Sequence, residues 1–145
     1  MAGADANFQS SLTNVRSLGD GSQKITSMAD GFNHCTALLT FSGFDPPGTN
    51  GAWASTVVTM QKMFSGATKV EIDEDDANSW NVYKVQTMDS MFFNAQKVLP
   101  SQKCCSGWNV REVTSMRKMF QNAGVANPDI SAWQTPSLTG CRLGR

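Results

Sequence analysis

The chain has 145 residues, enough for one domain, and twelve Lys+Arg balance twelve Asp+Glu. With no basic surplus to neutralise phosphates, the charge argues against a nucleic-acid or anionic-membrane partner. A charged fraction of 17% with ordinary apolar content argues against wholesale disorder, and a single histidine, His34, removes most histidine-based acid–base and metal designs.

Residues 1–24 are polar, with Phe8, Leu12, Val15 and Leu18 sparsely spaced, and read as an N-terminal cap or extension. The first twenty residues show neither the basic start nor the apolar run of a secretory signal. No window approaches the roughly 18–20 apolar residues of a membrane-spanning helix.

From residue 25 to about residue 140 the chain repeats itself. Four segments align without gaps: Ile25–Cys35, Val57–Ala67, Val85–Ala95 and Val113–Ala123. Their anchor residues Met28, Met60, Met88 and Met116 are 32, 28 and 28 residues apart. Trp53, Trp80, Trp108 and Trp133 keep nearly the same beat, at 27, 28 and 25. Two residue types sharing one period mark a repeat architecture.

Within each segment the apolar residues fall at positions 0, +3, +6, +7 and +10, as in Val85, Met88, Met91, Phe92 and Ala95. That spacing predicts one face of a short helix starting at each anchor Met. The preceding Ser27, Thr59, Thr87 and Ser115 read as N-caps, each worth about 1 kcal/mol. Such short helices need a neighbour to bury Met and Phe. Upstream, Trp80-Asn-Val-Tyr-Lys-Val85 and Trp108-Asn-Val-Arg-Glu-Val113 alternate like short strands with Trp and Val inward; Trp133-Gln-Thr-Pro-Ser-Leu138 keeps the form, and Trp53–Val57 is one residue tighter. The expected unit is strand, turn, short helix and return loop. The expected fold is an α/β solenoid of about four strand–short helix repeats of about 28 residues, with a parallel sheet on one face and a tail at 141–145.

Several side chains invite a chemical reading. His34 and Cys35 are adjacent, but neighbours on a helix point about 100° apart and Cys35 fills the slot held by Ala67, Ala95 and Ala123, so a packing cysteine is favoured over a nucleophile. Cys35, Cys104, Cys105 and Cys141 are too few for a disulfide scaffold and lack C-x-x-C spacing. The acidic run Asp73–Asp76 lacks the ligand spacing and Gly turn of a calcium loop. No catalytic set, metal site or cofactor site can be assembled. The outward strand positions are the better candidates for partner binding: Asn81 and Tyr83, Asn109 and Arg111, and Gln134 with Pro136, with Ala54 and Thr56 in the tighter first copy. Stacked in parallel they form a polar ladder carrying the Tyr and Arg favoured at interfaces. Nothing after Trp133 reads as a cap, which predicts a protein partner or a neighbouring subunit over the C-terminal edge.

These residues resemble the BspA-like, or Mycoplasma lipoprotein-type, leucine-rich-repeat family of surface proteins, whose pattern runs roughly D-I-S-x-W, then V-x-x-M-x-x-M-F-x-x-A. Asp129-Ile-Ser-Ala-Trp133 matches the opening, and Trp108 to Ala123 match most of the rest. Gly31 and Cys35 depart from the pattern in the first copy, and the repeats here are slightly longer. The resemblance implies a leucine-rich-repeat-like, non-catalytic scaffold for protein–protein interaction, extracellular or at a cell surface. A peripheral structural subunit of an organellar or membrane-associated complex fits the same residues. The alternative is a module binding carbohydrate or another small ligand on the exposed sheet face and variable loops.

Overall fold

The computed structural model describes residues 10–16, 18, 24–42, 54–98 and 105–139. Trp53, Cys104, Cys141 and the tail 141–145 lie outside them. The four aligned segments stand side by side. Parallel bridges run Ser27 to Thr59, Thr59 to Thr87 and Thr87 to Ser115. Alternate residues of each segment then donate backbone hydrogen bonds to the next. The amides of Met88, Ser90, Phe92 and Asn94 bond the carbonyls of Ser115, Arg117, Met119 and Gln121 at 2.8–3.0 Å. The two earlier junctions repeat this from Met28 to His34 and from Met60 to Gly66.

A ladder of this kind is incompatible with helices, and the helices expected at the anchor methionines are not formed. Each segment is instead a pair of tight turns. Met91 N bonds Met88 O at 3.2 Å and Ala95 N bonds Phe92 O at 3.0 Å, with Ser90 (φ 55°) and Asn94 (φ 59°) at the third turn position. A left-handed third residue is the mark of a type II turn. One column of such positions holds Asp30, Lys62, Ser90 and Lys118; the other holds His34, Gly66, Asn94 and Asn122. Gly66 is needed twice over, because φ is 74° and a Cβ there would lie 3.0 Å from the His34 ring. Successive four-residue turns return the chain to the same side every three or four residues. The apolar set is therefore buried as a helix face would be: Val85, Met88, Met91, Phe92 and Ala95 are each fully buried.

The hydroxyls expected as N-caps have a related role. Ser27, Thr59 and Thr87 accept from the amide two residues on, at 3.3–3.4 Å, which closes small side-chain turns. Ser115 instead donates to Asp89 of the preceding copy, which also takes the Arg117 amide at 2.8 Å.

Aromatic rings stack in two columns along the interior. Phe32, Phe64, Phe92 and Phe120 follow one another at 5.6, 5.8 and 5.6 Å between ring centres, inclined by 16°, 5° and 10°. Trp80, Trp108 and Trp133 follow at 5.6 and 6.2 Å. Each of these three indole N–H groups has an acceptor: the buried Asp76 carboxylate for Trp80, and the Ala77 and Cys105 carbonyls for Trp108 and Trp133.

The strands expected at the Trp phrases do not pair there, although the side chains face as alternation requires: Trp80, Val82, Trp108 and Val110 are buried, and Asn81, Tyr83, Asn109 and Arg111 are exposed. A turn closed by Val85 N to Val82 O ends the extended run too soon for a ladder. Ala54 is buried rather than outward. The Val57 N to Ala54 O turn matches that of Val85 to Val82, so Ala54 occupies the Val82 slot, and counting alternation from Trp53 gives the wrong register.

A second parallel ladder involves the return loops. Strand β1 (Asn14–Val15) pairs with β2 (Thr40–Phe41), and Thr40 bridges to Glu71. Leu12, Val15 and Leu18 pack against the core beside this pairing. In the loop 68–79, Val70 and Ile72 are buried and lead into helix α1 (Glu74–Ser79). Asp73 caps α1, accepting from the Asp75 and Asp76 amides at 3.0 and 3.3 Å. With Asp76 held by Trp80, the acidic run thus organises a helix and an indole.

Candidate functional site

The five expected partner-binding residues, Asn81, Tyr83, Asn109, Arg111 and Gln134, are all exposed. Four of them fall into two grooves rather than one ladder, and Asn81 lines neither. Asn109, Arg111 and Gln134 line a recess of about 160 Å³, where the Arg111 guanidinium donates to the Gln134 side chain and the Arg111 amide bonds Asn109 Oδ1 at 3.2 Å. Tyr83 lines a groove of about 280 Å³ with Val58, Lys84, Gln86 and Glu112. The Lys84 ammonium sits 5.5 Å from the Tyr83 ring centre. Val58, which the sequence reading did not single out, is exposed beside Tyr83 because its amide and carbonyl serve the ladder between Thr26 and Gln86. Two apolar side chains rimmed by a cation, an anion and an amide have the make-up of an interface patch.

The other feature is the last complete rung, Met116–Ala123. The amides of Met116, Lys118, Phe120 and Asn122 stand where, in the three earlier copies, each amide donates to the next copy; among the described residues they have no acceptor. The core beneath them is nearly closed, with Phe120 at 6% exposure and Ala123 at 4%, and Trp133 and Leu138 pack against it. The edge is therefore open in its hydrogen bonding and much less so in its apolar interior. A groove of about 320 Å³ lined by Phe120, Asn122, Ala123, Gly124 and Ala126 runs along it.

Cys35 and His34 do not form a reactive pair. Cys35 is fully buried, and desolvation raises its thiol above the ordinary range, so the nucleophilic thiolate is disfavoured. His34 is exposed, its ring against Gly66. Native protein treated with iodoacetamide should leave Cys35 unmodified until denaturant is added; rapid native labelling at Cys35 would show that its slot is not closed. Among the described residues no cluster of three or more His, Cys, Asp or Glu side chains is placed to hold a metal ion, and no helix is long and apolar enough to cross a membrane.

A family model described as Mycoplasma protein of unknown function, DUF285, matches residues 21–133. The chain belongs to this family. Neither a curated protein nor a solved structure matches it. The DUF285 match spans all four aligned segments and ends at Trp133, so it supports the resemblance read from the sequence at the level of the family. The D-I-S-x-W opening has a local geometry: Ser131 bonds Asp129 through its hydroxyl and, at 3.0 Å, its amide, holding that carboxyl below the usual range.

Proposed function

We propose that this DUF285 chain is a non-catalytic scaffold, a leucine-rich-repeat-like solenoid that mediates protein–protein interaction as a cell-surface module or a peripheral subunit. The observation that carries this reading is the row of four amides at Met116, Lys118, Phe120 and Asn122, without an acceptor among the described residues, along a partly apolar groove. A row of main-chain donors is a template for an added strand or turn segment, with hydrogen bonds giving affinity and the groove giving selectivity. The partner has to present carbonyls at the same spacing. The same edge of a second copy does not qualify, since donors would face donors. Tyr83 and Val58 supply a second, side-chain contact.

Hydrogen exchange tests the reading. In the isolated chain the four edge amides should exchange much faster than those of Met88, Ser90, Phe92 and Asn94. A photo-crosslinker at Asn122 then isolates the partner, and adding that partner should slow the edge amides specifically. Equal protection of the two sets in the isolated chain, or a partner that leaves the edge amides unchanged, overturns the proposal.

A further inference from the structure

The turn side of the stack carries a groove of about 280 Å³ whose lining includes His34, Lys62, Ser65, Ser90, Phe93 and Lys118, drawn from all four copies. It is remote in kind from the edge just described, since it presents side chains rather than main-chain groups. We propose that this groove binds a linear anionic polysaccharide, independently of the edge interaction.

The first argument is what occupies the left-handed positions. Both turn columns impose the same backbone demand, with φ between 55° and 74° from Lys62 to Asn122. In the second column it is met by residues that tolerate it: His34, Gly66, Asn94 and Asn122. The first column holds Lys62 and Lys118, which do not. Folding alone favours Gly or Asn there, so Lys62, Ser90 and Lys118, all lining the groove, carry a backbone cost of the kind found at functional sites.

The second argument is charge. Neither lysine side chain has a partner among the described residues, and the groove lining contains no carboxylate. Of the carboxylates on the same turns, Asp30 accepts at 3.0 Å from Nδ2 of Asn33, which also lines the groove, and Asp89 accepts from Ser115 and the Arg117 amide. The lining itself therefore offers two exposed ammonium groups and no carboxylate, on a chain of zero net charge.

Spacing and chemistry narrow the ligand class. Lys62 and Lys118 sit two rungs apart, about 10 Å at the usual strand spacing. That suits a polymer with anions at intervals along its length better than one compact anion. A peptide strand is recognised largely through main-chain bonds, and apart from Lys118 the amides here already serve the ladder or its turns, as in Lys62 N to Asp89 O at 2.9 Å. A chain of zero net charge with no basic run does not suit a nucleic-acid backbone. What remains available is the hydroxyl of the half-buried Ser90 for a sugar hydroxyl and the half-buried Phe93 ring for an apolar sugar face.

The test uses size-graded heparin oligosaccharides against the full chain by calorimetry, with neutral dextran and poly-glutamate alongside. Binding of heparin that weakens with salt is expected, without comparable binding of dextran or poly-glutamate. Lys62→Asn and Lys118→Asn should each lower affinity by about tenfold while raising the thermal midpoint, because Asn relieves the backbone. Lys97→Asn, outside the groove, should change neither. No heparin binding, equal binding of poly-glutamate, unchanged affinity in both lysine variants, or a lowered midpoint in both would each overturn the proposal.

Discussion

Phe92→Ala is expected to destabilise the chain by about 3–5 kcal/mol, a large part of the 5–15 kcal/mol typical of a domain. Phe92 is fully buried and stacks on both sides, on Phe64 at 5.8 Å and on Phe120 at 5.6 Å. Its removal leaves two rings facing a void. The void cannot easily close, since the rungs above and below are held apart by the ladder, with Phe64 N on Met91 O and Phe92 N on Met119 O. Phe120→Ala should cost less, because Phe120 stacks on one side and retains some exposure. Urea unfolding followed by tryptophan fluorescence measures both. A Phe92→Ala cost equal to or below that of Phe120→Ala would mean that the column does not carry the stack. Because each repeat contacts only its neighbours, a gap at the middle rung should also broaden the transition, which a change at the end should not.

Within the four aligned segments, which residues lie inside was legible from spacing, although Ala54 before the second was misread as outward; how the chain puts them there was not. A 3/4 period belongs to a helix face and equally to consecutive four-residue turns, and the apolar residues do not distinguish them. The discriminating signal lies in the polar positions between. Gly66, Asn94 and Asn122 recur at one place in the repeat, which is turn chemistry, whereas Lys62 and Lys118 at the other place obscure it. The ladder's location was hidden for a related reason. The Trp phrases alternate as strands do, but the parallel bridges form at Ser27, Thr59, Thr87 and Ser115, where a hydroxyl before a Met-rich run looks like a helix cap. For the candidate site, exposure followed from alternation. Clustering did not, because Val58 reaches Tyr83 across copies, and Arg111 turns to Gln134 rather than to the tyrosine. The near-closure of Phe120 was not legible, since it depends on how Trp133 and Leu138 pack against the core.

Two substitutions at Ser90 should separate turn from helix by sign. Ser90 lies at φ 55°, its amide donating to Arg117 O at 2.8 Å and its carbonyl accepting from Phe93 N at 3.1 Å. In a helix interior, Ser90→Gly would destabilise by roughly 0.5–1 kcal/mol. In a left-handed turn it should stabilise by about 1 kcal/mol, because glycine enters that region without the Cβ–carbonyl clash. Ser90→Val moves the other way and by more. A β-branched residue at positive φ is a true outlier, so the expected loss is about 2 kcal/mol, far above the small propensity difference between Ser and Val in a helix. Both backbone hydrogen bonds can persist in either variant, and the side chain is only half-buried, so the change reports backbone conformation more than packing. Chemical denaturation of the pair measures the effect. A stabilising glycine with a costly valine requires the turn ladder, whereas a destabilising glycine with a near-neutral valine would restore the helix and, with it, remove the strain that singles out Lys62 and Lys118.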